Sequence, residues 1–222
     1  MTARIEPYGE GAVLVVLGDA VDLATARRAR RLAAEVTSLA AATDGWQTPV
    51  QGTASVLVPF DPLIATADGL TTRLTPLVEA LPLDPGPSRD ARLVDVPVRY
   101  GGEDGPDIDE VAELTGLSVA EVVERHVAEI LEVLTLGFAP GFPYLGLIDP
   151  GLGVPRRATP RPRVAAGSVG LAGRMTGIYP ADLPGGWRII GRTDLRLFDP
   201  SADPPARLRP GDRIRFVPVV RP

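Results

Sequence analysis

The stretch VAAGSVGLAG at residues 164–173 indicates the fold class of the C-terminal half of the chain. Three further runs follow it, WRIIGRT (187–193), LRLF (195–198) and RIRFVPVV (213–220). These β-branched and apolar runs alternate with turns that carry Gly and Pro, and helical periodicity is absent from Val133 onward. Such alternation is typical of closed or nearly closed β structures. We therefore expect a β-barrel or sandwich here, with LRLF among its β segments.

A strand and two helices are expected before this β structure. LVDVPV (93–98) has the pattern of a strand, and a short helix is predicted from Ile108 to Leu114. Ser118 and Glu121 have the spacing of a capping box, in which the serine caps the N3 amide and the glutamate returns to the cap amide. A second helix should therefore begin at Ser118, with His126 on its apolar stripe.

The N-terminal part has the pattern of a small α+β layer structure of order β-β-α-β-β-α. AVLVVL (12–17) reads as a buried strand, and a helix is expected from about residue 22 to 41. Two short β runs (47–51 and 54–59) precede a second helix at about 65–81.

A linker composition separates the two parts. PLDPGPSRDAR (82–92) contains three prolines and a glycine among charged residues, which is typical of a domain boundary. We assign residues 1–88 to an α+β N-terminal domain and residues 89–222 to a mainly-β C-terminal domain.

Composition excludes several classes of chemistry. The 222 residues contain no Cys, so disulfides, thiolate nucleophiles and sulfur-ligated metals are excluded. All 23 basic residues are Arg, which excludes a lysine-containing P-loop and Schiff-base catalysis. A net charge of −5 does not favour nucleic acid, and no apolar run is long enough to span a membrane. We expect a cytoplasmic protein that binds neither nucleic acid nor membrane.

His126 is the single histidine and so the one side chain with an ordinary pKa near neutrality. Two interpretations stay open: a buried histidine that makes one hydrogen bond, or a functional group. No histidine or acidic spacing suggests a metal site, and we expect this chain alone to bind no metal.

The run GFAPGFPYLG (137–146) should form a rigid loop, because proline fixes φ and glycine adopts conformations closed to other residues. A loop of this kind suits a ligand pocket or a subunit contact, and a tight core turn is the alternative. The residues that we assign to it are Phe138, Pro140, Gly141, Phe142 and Tyr144.

Arginine is concentrated between residues 137 and 198, where eight Arg stand against three Asp, a local charge of +5. PRRATPRPRV (155–164) alone supplies four of them. Arginine forks bind carboxylate or phosphate in a bidentate manner, so this segment predicts a site for an anionic ligand or an acidic partner. A solvated basic face is the alternative.

Glycine inside a β run indicates either a bulge or close backbone approach by a ligand. The Gly/Pro turns of TGIYP (176–180) and PGGWRIIGRT (184–193) add hydroxyl donors and a large ring near the same face. Within these segments the candidate substrate- or phosphate-binding residues are Ser168, Thr176, Tyr179 and Trp187.

Together these segments resemble the family that includes the B subunit of 5-oxoprolinase, the kinase inhibitor KipI and allophanate hydrolase subunit 1. The motifs that carry the resemblance include YGGEDGPD (100–107), GFAPGFPYLG (137–146), TPRPRVAAGSVGLAG (159–173) and PGDRIRFVPV (210–219). The resemblance implies that the C-terminal domain is a cyclophilin-like β-barrel.

The resemblance also implies a function. It suggests a component, inactive alone, of an assembly that converts 5-oxo-L-proline, ATP and water to L-glutamate, ADP and phosphate, with ATP shared with a partner. One implied partner is a second cyclophilin-like protein, like the C subunit of 5-oxoprolinase or allophanate hydrolase subunit 2, and another is the A subunit of 5-oxoprolinase. Alternatives are a KipI-like inhibitor of a sensor histidine kinase and a component of an allophanate or urea amide hydrolase.

Carried over by position, the resemblance gives His126 a catalytic role in proton handling, or a role in pocket structure. It puts Arg156, Arg161, Tyr179 and the Gly185–Trp187 turn at a pocket mouth, and so adds Arg156, Arg161, Gly185 and Gly186 to the candidate substrate- or phosphate-binding residues. This chain departs from the family at Leu131, where an aromatic is common, and at Met175, where an amide is common. Loss of that amide removes a group that could recognise a lactam.

Overall fold

The structure is a computed structural model that describes residues 3–220. The chain divides into two compact units, one that ends at Pro87 and one that begins at Ser88. The two units are described separately below.

The first unit is a four-stranded antiparallel sheet with two helices. The strand order is β1-β2-β4-β3, and α1 contacts β3 and β4 while α2 contacts β1 and β2. The elements are β1 (Arg4–Pro7), β2 (Ala12–Val16), α1 (Leu23–Ala40), β3 (Val50–Gln51), β4 (Ser55–Pro59) and α2 (Ala67–Ala80). Helix α1 begins where the Asp22 side chain accepts a hydrogen bond of 2.8 Å from the Thr25 N–H. Because β1 is mostly exposed, its sequence has no buried pattern that would have assigned it a range.

The second unit is a closed seven-stranded barrel, which confirms the predicted β-barrel. The strands follow one another in the order β10-β7-β6-β13-β5-β12-β9, and β5 and β13 are parallel. The barrel strands are β5 (Leu93–Tyr100), β6 (Leu131–Leu136), β7 (Pro143–Gly146), β9 (Ser168–Ala172), β10 (Met175–Ile178), β12 (Arg188–Arg192) and β13 (Arg213–Pro218). A separate pair consists of β8 (Arg161–Val164) and β11 (Leu183–Gly185).

Two helices, α3 (Ile108–Thr115) and α4 (Val119–Val127), lie against the barrel and contact β12 and β13 respectively. The capping box at the start of α4 is confirmed, with reciprocal bonds between Ser118 and Glu121. On the barrel side α4 buries Val122 and His126.

The expectation that LRLF (195–198) is a β segment is wrong, apart from one isolated bridge between Phe198 and Ala206. Strand β12 ends at Arg192 opposite Ser168, the first residue of β9. Beyond β12 the Leu197 carbonyl accepts from the Arg207 N–H at 2.8 Å, so this segment bonds with a loop rather than with a barrel strand.

Candidate functional site

Many of the predicted site residues meet at one cavity of about 260 Å³ in the second unit, which we name the aromatic pocket. Its aromatic lining is Phe138, Phe142, Tyr144, Tyr179 and Trp187. Its other lining residues are Arg156, Pro160, Pro184, Gly185 and Gly186. Pro160 and Pro184 had not been selected from the sequence, although each is adjacent to a selected residue.

Phe142 lies at the centre of the aromatic lining. Its ring meets four others in edge-to-face geometry, with centroids 5.4 Å from Phe138, 5.1 Å from Tyr144, 5.3 Å from Tyr179 and 5.6 Å from Trp187. Such pairs contribute about 0.5–1.5 kcal/mol each beyond the area they bury. The rings are therefore held in a fixed arrangement before any ligand arrives.

The loop between β6 and β7 forms the rim of the pocket. Phe138 has a φ of +67°, which is unusual for a residue with a side chain, and it is 60% exposed. Gly141 has a φ of +80°, and a Cβ there would lie 2.9 Å from the Cβ of Phe198. Pro140 is exposed between them. Non-glycine residues keep such a backbone only where the surroundings impose it, so the rim is a rigid loop.

Tyr179 supplies a hydroxyl beside Gly185. A Cβ at Gly185 would overlap this hydroxyl, so glycine is required for the two segments to approach. Burial raises the pKa of Tyr179 more than the hydrogen bond from the Trp187 backbone and the charge of Arg156 lower it. Tyr179 therefore stays a neutral phenol that can donate a hydrogen bond.

Arg156 is the charged residue of the pocket. Its guanidinium carbon lies 6.0 Å from the centroid of the Trp187 ring, a cation–π distance. Among residues 3–220, no carboxylate forms an ion pair with it. Arg156 is therefore able to bind an anionic group.

The neighbouring arginines are paired with carboxylates, which reduces the predicted surplus of positive charge without removing it. Arg161 binds the Asp107 carboxylate through both Nη atoms at 2.7 and 2.6 Å, and Arg157 binds it at 3.0 Å. Arg188 pairs with Glu110. The local count covered residues 137–198 only, whereas the fold brings in two carboxylates from residues 107–110.

Arg161 and Ser168 lie outside the aromatic pocket, at a smaller polar cavity of about 160 Å³. Arg163 and Arg192 line the same cavity together with Asp104. Arg161 is thus bound to Asp107 rather than presented at the aromatic pocket.

His126 and Thr176 lie inside the barrel, and His126 is 1% exposed. Its Nδ1 is 2.8 Å from the Tyr100 hydroxyl and its Nε2 is 3.0 Å from the Thr176 hydroxyl. Because Thr176 donates to the Gly170 carbonyl at 3.1 Å, Nε2–H must donate to Thr176 and Nδ1 must accept from Tyr100. Burial lowers the pKa of His126 to about 3, so the ring is neutral.

Similarity to known proteins agrees with the resemblance seen in the motifs. The family model of the carboxyltransferase domain, subdomain C and D, matches residues 3–208. The chain belongs to this family.

One carboxyltransferase-domain relative is the B subunit of 5-oxoprolinase from Escherichia coli O157:H7, 42% identical over 217 residues that cover 97% of this chain and 96% of that protein. The solved structure of TTHA0988 is 37% identical with a TM-score of 0.79, covering 95% of this chain and 40% of that chain. The K. lactis urea amidolyase structure has a TM-score of 0.80 at 23% identity and shows the shared fold; 98% of this chain matches 15% of it.

Met175 and Leu131, the two residues expected to depart from the family pattern, both lie in strands of the barrel. Met175 packs against the apolar cluster that contains Phe142, Tyr179 and Trp187. Leu131 is the buried first residue of β6. In this member of the carboxyltransferase family, Met175 supports the aromatic rings.

Asp107 is the residue of this region that sequence reasoning missed as a site residue. It is the last residue of YGGEDGPD (100–107), a motif that had already been singled out. A carboxylate within a Gly- and Pro-rich loop is the one sequence feature that points to Asp107. The arginines that it binds are 50 and 54 residues away in the sequence, so no local pattern connects them to it.

Across the part of the chain from residue 3 to residue 220, no group of three or more His, Asp or Glu side chains could hold a metal ion. Within the same range, no helix combines the length and the apolar character that crossing a membrane requires.

Proposed function

We propose that this chain is the B subunit of an ATP-dependent 5-oxoprolinase, an assembly that hydrolyses the lactam of 5-oxo-L-proline to give L-glutamate. Its similarity to the E. coli B subunit extends over 97% of the chain. That extent supports a role as the same kind of component.

The observation that carries the proposal is an aromatic pocket with one unpaired arginine. The substrate is a five-membered ring with one carboxylate. The Trp187 and Tyr144 rings would pack against the substrate ring, and the Arg156 fork would bind its carboxylate. The volume of about 260 Å³ lies just below the ~300–1,000 Å³ of drug-sized sites, as a small metabolite requires.

The Tyr179 hydroxyl would donate a hydrogen bond to the oxygen of the lactam carbonyl. The raised pKa of Tyr179, caused by burial, keeps the proton on the phenol. A hydrogen bond to that oxygen would orient the ring and draw electron density from the amide carbon. Arg156 and Tyr179 would thus bind opposite ends of the substrate.

The residues of this pocket do not fit ATP. Among the described residues, Arg156 is the single cation that lines it, and a triphosphate needs several donors. The chain also lacks the lysine of a P-loop. We therefore derive no phosphoryl-transfer step from this chain, and we assign ATP binding to another component of the assembly, where its hydrolysis drives opening of the lactam.

The rim loop is the proposed contact for a second cyclophilin-like subunit. Phe138 is 60% exposed at the mouth of the pocket, and exposed aromatic side chains on rigid loops are frequent anchors at interfaces. A partner at this position would cover the pocket and exclude water from it. On this basis we expect the chain to be inactive alone, with a third protein completing the assembly.

The experiment is ATP-dependent glutamate release from 5-oxo-L-proline, measured for the isolated chain and for the chain co-expressed with the products of neighbouring genes. Activity that requires the assembly and ATP is the expected result. Glutamate release by the isolated chain would refute the claim that it is inactive alone. An assembly that consumes allophanate but not 5-oxo-L-proline would refute the substrate.

A further inference from the structure

We propose that Asp107 is a positioning residue that sets the shape of the aromatic pocket through three separate walls. The proposal rests on the proposed function only for the identity of the ligand. The geometry of the pocket can be tested without any ligand.

One buried carboxylate receives four hydrogen bonds. Asp107 is 2% exposed and accepts two bonds from Arg161, at 2.7 and 2.6 Å, and one from Arg157, at 3.0 Å. The fourth comes from the Ile189 backbone N–H at 2.7 Å. A carboxylate with this many donors is held in one orientation.

Each donor lies within two residues of a pocket residue in the sequence. Arg157 follows Arg156, Arg161 follows Pro160, and Ile189 comes two residues after Trp187. The pocket therefore has three walls that meet at a single anchor. Movement of Asp107 would displace the arginine, the proline and the tryptophan together.

Helix capping does not explain the orientation of the Asp107 side chain. Asp107 occupies the N-cap position of α3, where aspartate commonly accepts a bond from the first turn. Here its side chain makes no capping bond. The carboxylate is directed to the arginines and to β12 instead.

The backbone of Asp107 is equally fixed. Its N–H donates to the Ile189 carbonyl at 2.9 Å, and Gly101 N–H donates to the Ile190 carbonyl at 3.1 Å. A Cβ at Gly105 would overlap the Ile190 carbonyl, so the loop can lie this close to β12 only with glycine there. The anchor is therefore part of the barrel wall.

The segment that carries Arg156 is also bound to the turn that contains Gly186, because the Arg157 N–H donates to the Gly186 carbonyl at 2.8 Å. Arg157 is paired with both Asp107 and Glu110, whose carboxylates lie 3.0 and 3.5 Å from it. Arg156 is left as the cation for a ligand. Asp107 thus determines both the shape and the charge of the pocket.

The test is Asp107→Asn, which keeps the size of the side chain and removes its charge. A Trp46→Phe background leaves Trp187 as the one tryptophan, so its emission and acrylamide quenching report on the pocket wall. We expect stronger quenching in the ligand-free chain, and an affinity for 5-oxo-L-proline lowered about ten- to a hundredfold, because small misplacements of binding groups cost this much.

The matched control is Asp212→Asn. Asp212 is also buried and bound by arginine, but it lies outside the aromatic pocket. It should lose stability while leaving Trp187 quenching and ligand affinity unchanged. A positioning role further predicts that Asp107→Asn lowers the affinity less in an Arg156→Gln background than in the wild type, because only the part of its effect that acts through Pro160 and Trp187 remains, whereas a purely structural role predicts additive effects.

Unchanged Trp187 quenching in Asp107→Asn would overturn the proposal, as would additive losses in the double variant. If Asp107→Asn fails to fold, Arg157→Gln replaces it, because this variant removes one of the four hydrogen bonds to Asp107. It must also strengthen the quenching of Trp187, and unchanged quenching in Arg157→Gln would overturn the proposal. Wild-type protein that binds no 5-oxo-L-proline would contradict the proposed function, while the ligand-free quenching would still decide the role of Asp107.

Discussion

Replacing His126 with glutamine should change how the stability of the barrel depends on pH. In the folded chain His126 is buried between Tyr100 and Thr176, and its ring lies 4.5 Å from that of Phe216. Glutamine can still form hydrogen bonds in this position, but it cannot titrate.

The sign follows from the two pKa values. Burial lowers the pKa of His126 to about 3 from its ordinary 6.5. Between these values the unfolded chain binds a proton that the folded chain does not, so stability falls as the pH falls. The loss approaches 1.4 kcal/mol per pH unit below pH 6.5, and it amounts to about 2.7 kcal/mol between pH 7.5 and pH 4.5.

The assay is urea unfolding at pH 7.5 and at pH 4.5, followed by Trp187 emission in the Trp46→Phe background. The pH stays above the lowered pKa values of Asp107 and Asp212, so these carboxylates remain ionised throughout. Wild-type protein should lose about 2.7 kcal/mol more than His126→Gln between the two pH values. Equal losses would refute the neutral, buried histidine.

Three further predictions concern particular positions. Gly185→Ala should abolish binding of 5-oxo-L-proline by calorimetry while circular dichroism stays native, because the new methyl overlaps the Tyr179 hydroxyl; unchanged affinity would contradict this. Phe138→Gly should change the free energy of unfolding by less than about 1 kcal/mol, because relief of the positive φ offsets the lost ring contact with Phe142, yet it should reduce capture of the second cyclophilin-like protein; unchanged capture would remove Phe138 from the interface. Asp212 is buried, which by itself raises its pKa, but bonds from Arg92 lower the pKa below 3.8. Its stabilising contribution is therefore present above pH 3.8 and lost as the pH falls through the lowered pKa, so Asp212→Asn should cost about 1–3 kcal/mol at pH 7 and progressively less as the pH falls below 3.8; a cost that does not depend on pH would contradict this.

Local patterns were sufficient for much of the fold. The Gly-interrupted apolar runs predicted the barrel because alternate residues of each strand face its interior, and the capping box located the start of α4. LRLF (195–198) has the composition of a strand, but a strand also needs a partner strand, and this segment bonds with Ala206 and Arg207 of a loop instead.

The pocket was partly predictable for the same reason. Phe138, Phe142 and Tyr144 share one loop, and Gly185, Gly186 and Trp187 share one turn, so short motifs carry whole segments of the lining. The roles of Arg161 and His126 could not be obtained in this way. Their partners are distant in the sequence, with Asp107 54 residues from Arg161 and Thr176 50 residues from His126.

Arg156 provides the most direct test of the central claim that the aromatic pocket is the 5-oxo-L-proline site. The measurement is KM for 5-oxo-L-proline in ATP-dependent glutamate release by the reconstituted assembly, for wild type, Arg156→Gln and Arg215→Gln. Arg215 pairs with Asp95 at 2.8 Å on the barrel surface and controls for loss of one positive charge. We predict a KM raised about ten- to a hundredfold in Arg156→Gln, as expected for loss of a charge-assisted hydrogen bond, and an unchanged KM in Arg215→Gln. An Arg156→Gln assembly with the wild-type KM would contradict the account.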